Sequence, residues 1–250
     1  MTEAVLWEMS AEGVVTLTLN RPEARNALNT AMAEALLAGA RRAVAEQAKL
    51  VLVRANGPVF CAGADLKERK GMGEDQVRAR RLKGFAAYDA LERLPMPSIA
   101  VLQGPAVGSG GEIAAACDMI VATPAASFRT PEALWGTVGA TQRLPRIIGK
   151  RLAKDMMFTG RTLTAEEAER AGLVSRLVPD EAALEAMLTE IARTILAAPA
   201  GALRQAKRCI DEGVERDPRA ALATELMAIE ENLAEGAWRA TMAGFGNGRP

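Results

Sequence analysis

Short apolar strands alternate with helical segments over the first two-thirds of this chain, and only helical segments follow. β-Branched or wholly apolar runs predict strands at 14–19, 50–53, 98–102 and 118–122, with a weaker strand at 173–178. Apolar residues spaced three or four apart predict helices at 30–47, 85–94 and 164–171. The charged stretch at 67–83 predicts a solvated loop and helix face. This alternation predicts an α/β protein built in layers, with helices alone from Asp180 onward.

The balance of charges and the missing histidine exclude several classes of function. Lysine plus arginine and aspartate plus glutamate each total 31, so neither nucleic acid nor a membrane is expected as a partner. Without histidine, no Ser-His-Asp mechanism and no histidine metal site can form, and no metal is expected. Three isolated cysteines, no signal pattern and no long apolar run predict a cytoplasmic protein.

The most unusual segment is GPAVGSGGEIAAACD at 104–118. Its glycines permit a sharp turn after the strand at 98–102, before a helix that should begin near Ser109 or Gly110. The first N–H groups of a helix have no partner within it and suit an oxygen that carries negative charge. Glu112 would lie beside that oxygen. The alternative is structural, because a glutamate in a first turn also complements the helix dipole.

Two further segments place carboxylates next to small residues. In PVFCAGADLKE at 58–68, Ala64 offers another backbone N–H, and Asp65 can cap the following helix. In SFRTPEALWG at 127–136, Glu132 stands at a helix start that Pro131 favours. Glu112 and Glu132, if presented to one cleft, can divide the roles of acid and base, although a helix-start role for Glu132 is the alternative.

Six motifs together resemble the enoyl-CoA hydratase/isomerase (crotonase) superfamily in order and spacing. They are NRPEARNALN (20–29), FCAGADLKE (60–68), GPAVGSGGEIAAACD (104–118), FRTPE (128–132), TQRLPRIIG (141–149) and TGRTLTAEEAERAGLV (159–174). The resemblance implies a crotonase-type spiral of ββα units over 1–195 with a CoA-thioester site. It also implies a C-terminal helical region at 196–250 that assembles a homotrimer or a dimer of trimers.

The resemblance also implies where an acyl-CoA thioester substrate would bind. The backbone N–H groups of Ala64 and Ser109 would form an oxyanion hole for the thioester oxygen. The implied CoA contacts are Arg25, Ala62, Ala64, Asp65 and Leu66. The family usually has glycine where this chain has Ser109, and a serine there would be strained if its φ were positive. No cofactor is expected apart from the coenzyme A of the substrate itself.

Both glutamates of the hydratase pair are present, as Glu112 and Glu132. The resemblance therefore implies hydration of a trans-2-enoyl thioester. Glu112 would activate water for attack at Cβ, and Glu132 would give a proton to Cα, while the oxyanion hole holds the developing charge. An enoyl-CoA isomerase on the same scaffold and an acyl-CoA-binding homologue with weak catalysis are the alternatives.

One loop departs from the family pattern. The segment GTVGAT at 136–141 is shorter than usual and lacks a proline. In hydratases a backbone N–H of this loop helps to hold the attacking water, so the resemblance predicts slow hydration with better-preserved proton exchange at Cα. Trp135 could either fill the lost volume or anchor the core.

The segment CAGADLKERKGM is also similar to methylglutaconyl-CoA hydratases, which hints at a branched or carboxylated acyl group. Some of those relatives bind RNA. The place for such binding here would be the basic cluster Arg78, Arg80, Arg81 and Lys83, although the zero net charge does not favour it.

Overall fold

The computed structural model describes residues 3–243, which form two β-sheets surrounded by helices. The strands are β1 Val5–Met9, β2 Val14–Leu19, β3 Leu50–Ala55, β4 Ser98–Leu102, β5 Pro105–Val107, β6 Met119–Ala122, β7 Ser127–Arg129, β8 Thr162–Thr164 and β9 Arg176–Leu177. The helices are α1 Thr30–Ala45, α2 Leu66–Arg69, α3 Glu74–Glu92, α4 Ser109–Ala115, α5 Arg143–Ile148, α6 Lys150–Thr159, α7 Ala165–Arg170, α8 Glu181–Ala197, α9 Ala200–Gly213, α10 Pro218–Glu235 and α11 Ala237–Ala243. Single 3₁₀ turns lie at Pro22–Ala24 and Glu132–Trp135.

The larger sheet has six strands in the order β1-β2-β3-β4-β6-β9. Strand β1 is antiparallel to β2, and the other neighbours are parallel. The smaller sheet has the order β5-β7-β8, with β5 and β7 parallel. Chain segments that leave β4 and β6 enter this smaller sheet, so both sheets contribute to the region around α4. The predicted α/β layering is confirmed.

Both faces of the larger sheet are covered, as strand β4 shows. Ile99 and Val101 point to one face, where they belong to the same apolar cluster as Leu184 of α8. Ala100 and Leu102 point to the opposite face, in the large core cluster that also contains residues of α1 and α3. Alternate residues of a strand face opposite sides, so a strand buried on both faces is apolar throughout. This explains the uninterrupted SIAVL pattern.

The charged stretch at 67–83 is more helical than its sequence predicts. Helix α3 begins at Glu74 and continues without a break to Glu92. Its charged half is tied to neighbouring elements by ion pairs of Arg80 with Glu68 and of Lys83 with Glu34. These long-range contacts stabilise helix where the apolar periodicity is absent.

Several short strands were not predicted. The strands β1, β5, β7 and β8 carried no prediction, and the strand expected at 173–178 is reduced to Arg176–Leu177. Strands β5, β7, β8 and β9 have only two or three residues, too few to show alternation, and their register depends on partners far away in the chain.

The C-terminal helices differ in what they contact. Helix α8 covers one face of the larger sheet, whereas α9 and α10 pack mainly on each other. The predicted division at residue 195 stays a prediction, and residues 244–250 of the second region lie outside the described residues. Between residues 3 and 243 no single helix is long and apolar enough to cross a membrane, although α8 and α9, bent by 105°, meet the length and composition criteria as a pair.

Candidate active site

A cavity of about 410 Å³ opens between α3, α4, the loop before α2 and the segment that follows β7. Seven of the eight residues proposed from sequence line this cavity: Arg25, Ala62, Ala64, Leu66, Ser109, Glu112 and Glu132. The eighth, Asp65, is 8% exposed and does not line it. Asp65 instead accepts hydrogen bonds from the N–H groups of Lys67 and Glu68 and pairs with Arg21 at 3.0 Å. Its predicted capping role is confirmed.

Backbone N–H groups of Ala64 and Ser109 in the cavity wall have no acceptor among the described residues. The residues around Ala64 are tied to the 25–28 segment, because Ala62 N–H donates to Arg25 and Asp65 N–H donates to Leu28. Ser109 is the first residue of α4. Within residues 3–243, neither the Ala64 N–H nor the Ser109 N–H donates to another protein group. Both are therefore available to an oxygen in the cavity.

The two N–H groups come from segments that approach each other closely. Val107 N–H donates to the Cys61 carbonyl at 2.9 Å, and Cys61 N–H donates to the Pro105 carbonyl at 3.2 Å. A Cβ atom on Gly110 would lie 2.4 Å from the Cys61 oxygen, so only glycine fits at that position. This contact explains one of the glycines that follow β5.

The positive backbone angle in this turn lies at Gly108 rather than at Ser109. Gly108 has φ 50° and ψ −107°, whereas Ser109 is not among the residues with positive φ. The strain considered for a serine in place of the family's glycine does not arise.

Glu112 lies in the first turn of α4 and is held by a charge. Its side chain is buried, and Oε2 accepts a hydrogen bond from Arg143 Nη1 at 3.1 Å. Arg143, the first residue of α5, also pairs with Glu92 at the end of α3. Burial raises the pKa of Glu112, while the adjacent Arg143 opposes that rise.

Glu132 starts the 3₁₀ turn on the opposite side and has no such cation. Its Oε2 is buried and accepts no hydrogen bond from the described residues. The carboxylate is instead enclosed by glycines: a Cβ atom on Gly108 would lie 2.4 Å from Oε1, and one on Gly139 would lie 3.3 Å from Cγ. Burial raises the pKa of Glu132 and the charge of Glu112 adds to that rise, while the residue's own backbone N–H and the charge of Arg81 oppose it.

Three further residues of the site were not assigned from sequence. Tyr88 is the single tyrosine of the chain, lies buried on α3 and lines the cavity. Arg143 lies 5.9 Å from the centre of its ring. Arg81 lies near Glu132. A tyrosine on the apolar side of a predicted helix was a usable signal, whereas the partners of the two arginines depend on tertiary contacts.

Trp135 has neither role that was considered for it, because it is 72% exposed at the rim of the cavity. It therefore neither anchors the core nor fills space behind the short loop. Among residues 3–243 no group of three Cys, Asp or Glu side chains is placed to hold a metal ion.

The arrangement suits a small electrophile with a polarised oxygen. The two free N–H groups would bind the oxygen, and a buried and a half-buried carboxylate in different environments would exchange protons beside it.

Known proteins share both the sequence and the fold. A family model for enoyl-CoA hydratase/isomerase matches residues 9–250. The enoyl-CoA isomerase/hydratase of Mycosarcoma maydis is 38% identical over 221 residues, which cover 82% of this chain and 80% of that protein. The mitochondrial enoyl-CoA hydratase domain-containing protein 2 of Mus musculus is 39% identical over 233 residues, covering 89% and 78%. The crystal structure of enoyl-CoA hydratase from Bacillus anthracis matches with a TM-score of 0.93 at 34% identity, covering 98% of this chain and 97% of that one.

Proposed function

Because the chain belongs to the enoyl-CoA hydratase/isomerase family, as an enzyme with the crotonase fold, we propose that it hydrates a 2-enoyl-CoA thioester. The observation that supports this most is the pairing of a buried carboxylate, Glu112, with a half-buried one, Glu132, in one cavity with the free N–H groups of Ala64 and Ser109. Coenzyme A enters as part of the substrate, and no separate cofactor takes part.

The two glutamates divide the proton transfers. Glu112 takes a proton from water as the water oxygen bonds to Cβ, and the electron pair of the double bond moves toward the thioester oxygen. Glu132 then supplies the proton to Cα. The cation Arg143 favours ionised Glu112, and the lack of a paired cation favours protonated Glu132, which supports this division.

The oxyanion hole stabilises the intermediate charge. The N–H groups of Ala64 and Ser109 are the proposed donors to the thioester oxygen. In other enzymes the loss of one such donor costs about 3–4 kcal/mol in the barrier. The coenzyme A portion would extend from there toward Arg25, Ala62 and Leu66, which line the cavity beyond Ala64.

Isomerisation of the double bond is the second candidate, and the loop at 136–141 favours it. Isomerisation needs proton transfer at Cα but no bound water, so it tolerates a missing water-binding N–H better than hydration does. The third candidate is an acyl-CoA-binding protein with weak catalysis.

We also propose assembly as a trimer or a dimer of trimers. Helix α10 exposes a continuous apolar stripe at helical spacing, formed by Leu222, Leu226, Ile229 and Leu233. Such a stripe is unfavourable in water unless a partner covers it. Light scattering that shows a stable monomer at micromolar concentration would contradict this proposal.

The cytoplasmic location stays a prediction, since the Mus musculus relative is named mitochondrial.

The function is tested by turnover of a panel of 2-enoyl-CoA thioesters, beginning with crotonyl-CoA, followed by loss of absorbance. Glu112→Gln and Glu132→Gln should each lower turnover at least ~10²-fold, the usual scale for a positioned acid or base. Binding of a saturated acyl-CoA should change little, because neither carboxylate contacts the nucleotide in this proposal.

Solvent deuterium separates the candidates. Exchange at Cα of a β,γ-unsaturated acyl-CoA without hydration of any 2-enoyl-CoA identifies an isomerase. Binding without either reaction identifies the third candidate. A Glu→Gln variant that keeps near wild-type turnover removes that glutamate from the mechanism.

A further inference from the structure

The basic cluster on α3 is not a free cationic surface, because three of its four members are paired. Arg78 pairs with Asp75, Arg80 pairs with Glu68 at 2.6 Å, and Lys83 pairs with Glu34 at 2.6 Å. Within residues 3–243, Arg81 has no carboxylate partner in an ion pair. Its guanidinium points instead to the cavity wall.

Arg81 is bound to the short loop at 136–141. Its Nη2 donates to Thr137 Oγ1 at 2.9 Å and also to the Val138 carbonyl oxygen. Of the side chains between residues 3 and 243, no other from a different secondary-structure element hydrogen-bonds to this loop. One side chain of α3 therefore fixes the loop from outside.

The loop in turn limits where Glu132 can lie. Thr137 N–H donates to the Glu132 carbonyl at 3.0 Å, and Gly139 packs against the Glu132 side chain. A Cβ on Gly139 would lie 3.9 Å from Arg81 Nη2 and 3.8 Å from Glu132 Oε1. Since Glu132 Oε2 has no hydrogen bond from the described residues, packing against this loop contributes to the orientation of the carboxylate.

We propose that Arg81 is a positioning residue for Glu132 and acts by fixing the loop at 136–141. The proposal rests on the proposed function for its kinetic readout. The guanidinium of Arg81 on α3 holds two consecutive loop residues, Thr137 and Val138, in place. In this proposal these contacts fix the position of a loop that is shorter than the family's.

The test compares Arg81→Gln and Arg81→Lys with the matched control Arg78→Gln, which removes an exposed cation of the same helix outside the cavity. Arg81→Gln should lower kcat about 10- to 10²-fold with KM within about twofold, because a misplacement near 1 Å has that cost. Arg81→Lys keeps the charge but lacks the planar fork, so it should recover only part of kcat. Arg78→Gln should equal the wild type.

A rise in KM at unchanged kcat would overturn the proposal, since Arg81 would then contact the substrate. Equal losses in the Arg81→Gln and Arg78→Gln variants would overturn it as well.

Amide hydrogen exchange gives a readout that does not need the proposed reaction. Arg81→Gln should accelerate exchange at Thr137 and its loop while α1 and the larger sheet stay protected. Unchanged hydrogen exchange in that loop would overturn the proposal about Arg81, whether or not the wild type turns over an enoyl-CoA. Lack of turnover by the wild type, taken alone, would count only against the proposed function.

Discussion

The two carboxylates of the cavity are held in place by different forces. Glu112 stands on a helix and is fixed by a charge, through its 3.1 Å hydrogen bond from Arg143. Glu132 stands on a single 3₁₀ turn and is fixed by close packing, between the backbones of Gly108 and Gly139. Burial raises the pKa of both. The same direction of pKa shift thus arises in two environments that should respond to different substitutions.

The contrast has a chemical consequence. A carboxylate next to a cation retains its negative charge more readily, which suits a base. A carboxylate that is enclosed without a cation paired to it retains its proton more readily, which suits an acid. Turnover should therefore respond to substitutions that change the charge around Glu112 and to substitutions that change the side-chain volume around Glu132.

The largest effect is expected from volume on the Glu132 side, with Gly108→Ala. Alanine is strained at φ 50° and ψ −107°, and its Cβ would lie 2.4 Å from Glu132 Oε1. The carboxylate and the first turn of α4 must both move, so turnover should fall ~10²-fold or more. Steady-state kinetics on the best enoyl-CoA substrate measure this.

Gly111→Ala is the matched control in the same segment. A Cβ atom on Gly111 meets nothing within 4 Å, and its φ is not positive. Alanine is about 1 kcal/mol better than glycine inside a helix, so this variant should fold at least as well with unchanged turnover. If Gly108→Ala and Gly111→Ala had the same kinetics, packing against Gly108 would not be what orients Glu132.

A charge change on the Glu112 side should have the next largest effect. Arg143→Gln removes the cation that opposes the effect of burial, so the pKa of Glu112 should rise further. In this variant Glu112 therefore becomes protonated at a higher pH than in the wild type. The acid limb of the pH–rate profile should move to higher pH, with turnover at neutral pH lower by about tenfold, the scale of one charge-assisted hydrogen bond.

Glu92→Gln should move the same limb in the opposite direction. The negative charge of Glu92 raises the pKa of Glu112, so its removal lowers that pKa and extends activity to lower pH. The shift should be smaller, because Glu92 acts from beyond Arg143. Shifts of both variants in one direction would show that the limb does not report Glu112.

The contrast also separates what the sequence could and could not predict. The start of α4 at Ser109 and the cap by Asp65 were predicted because glycine turns and capping residues act on their own neighbours. The two carboxylates were found through the order of six motifs. Arg143 and Arg81 were missed because their partners lie 31 and 56 residues away, and only the fold brings them together.

The smallest effect concerns stability, where we expect Glu132→Gln to stabilise the folded chain and Glu112→Gln not to do so. The raised pKa of Glu132 means that its ionised form is less favourable in the folded chain than in the unfolded one. The free energy of unfolding therefore falls as pH rises from the ordinary glutamate range through the raised value. Glu132→Gln removes that cost, so its melting temperature at neutral pH should exceed that of the wild type.

The Glu112 variant should not show this gain. Glu112→Gln removes the carboxylate but also leaves Arg143, whose side chain is 15% exposed, with Glu92 as its remaining ion-pair partner. Calorimetry of both variants at neutral and acidic pH tests the difference, at about 2–4 °C for each kcal/mol in a chain of this size. The gain of Glu132→Gln should vanish below the ordinary glutamate range, where both states bind the proton. A lower melting temperature for Glu132→Gln at neutral pH would mean that Glu132 has a partner that stabilises its charge, and the contrast between the two sides would not hold.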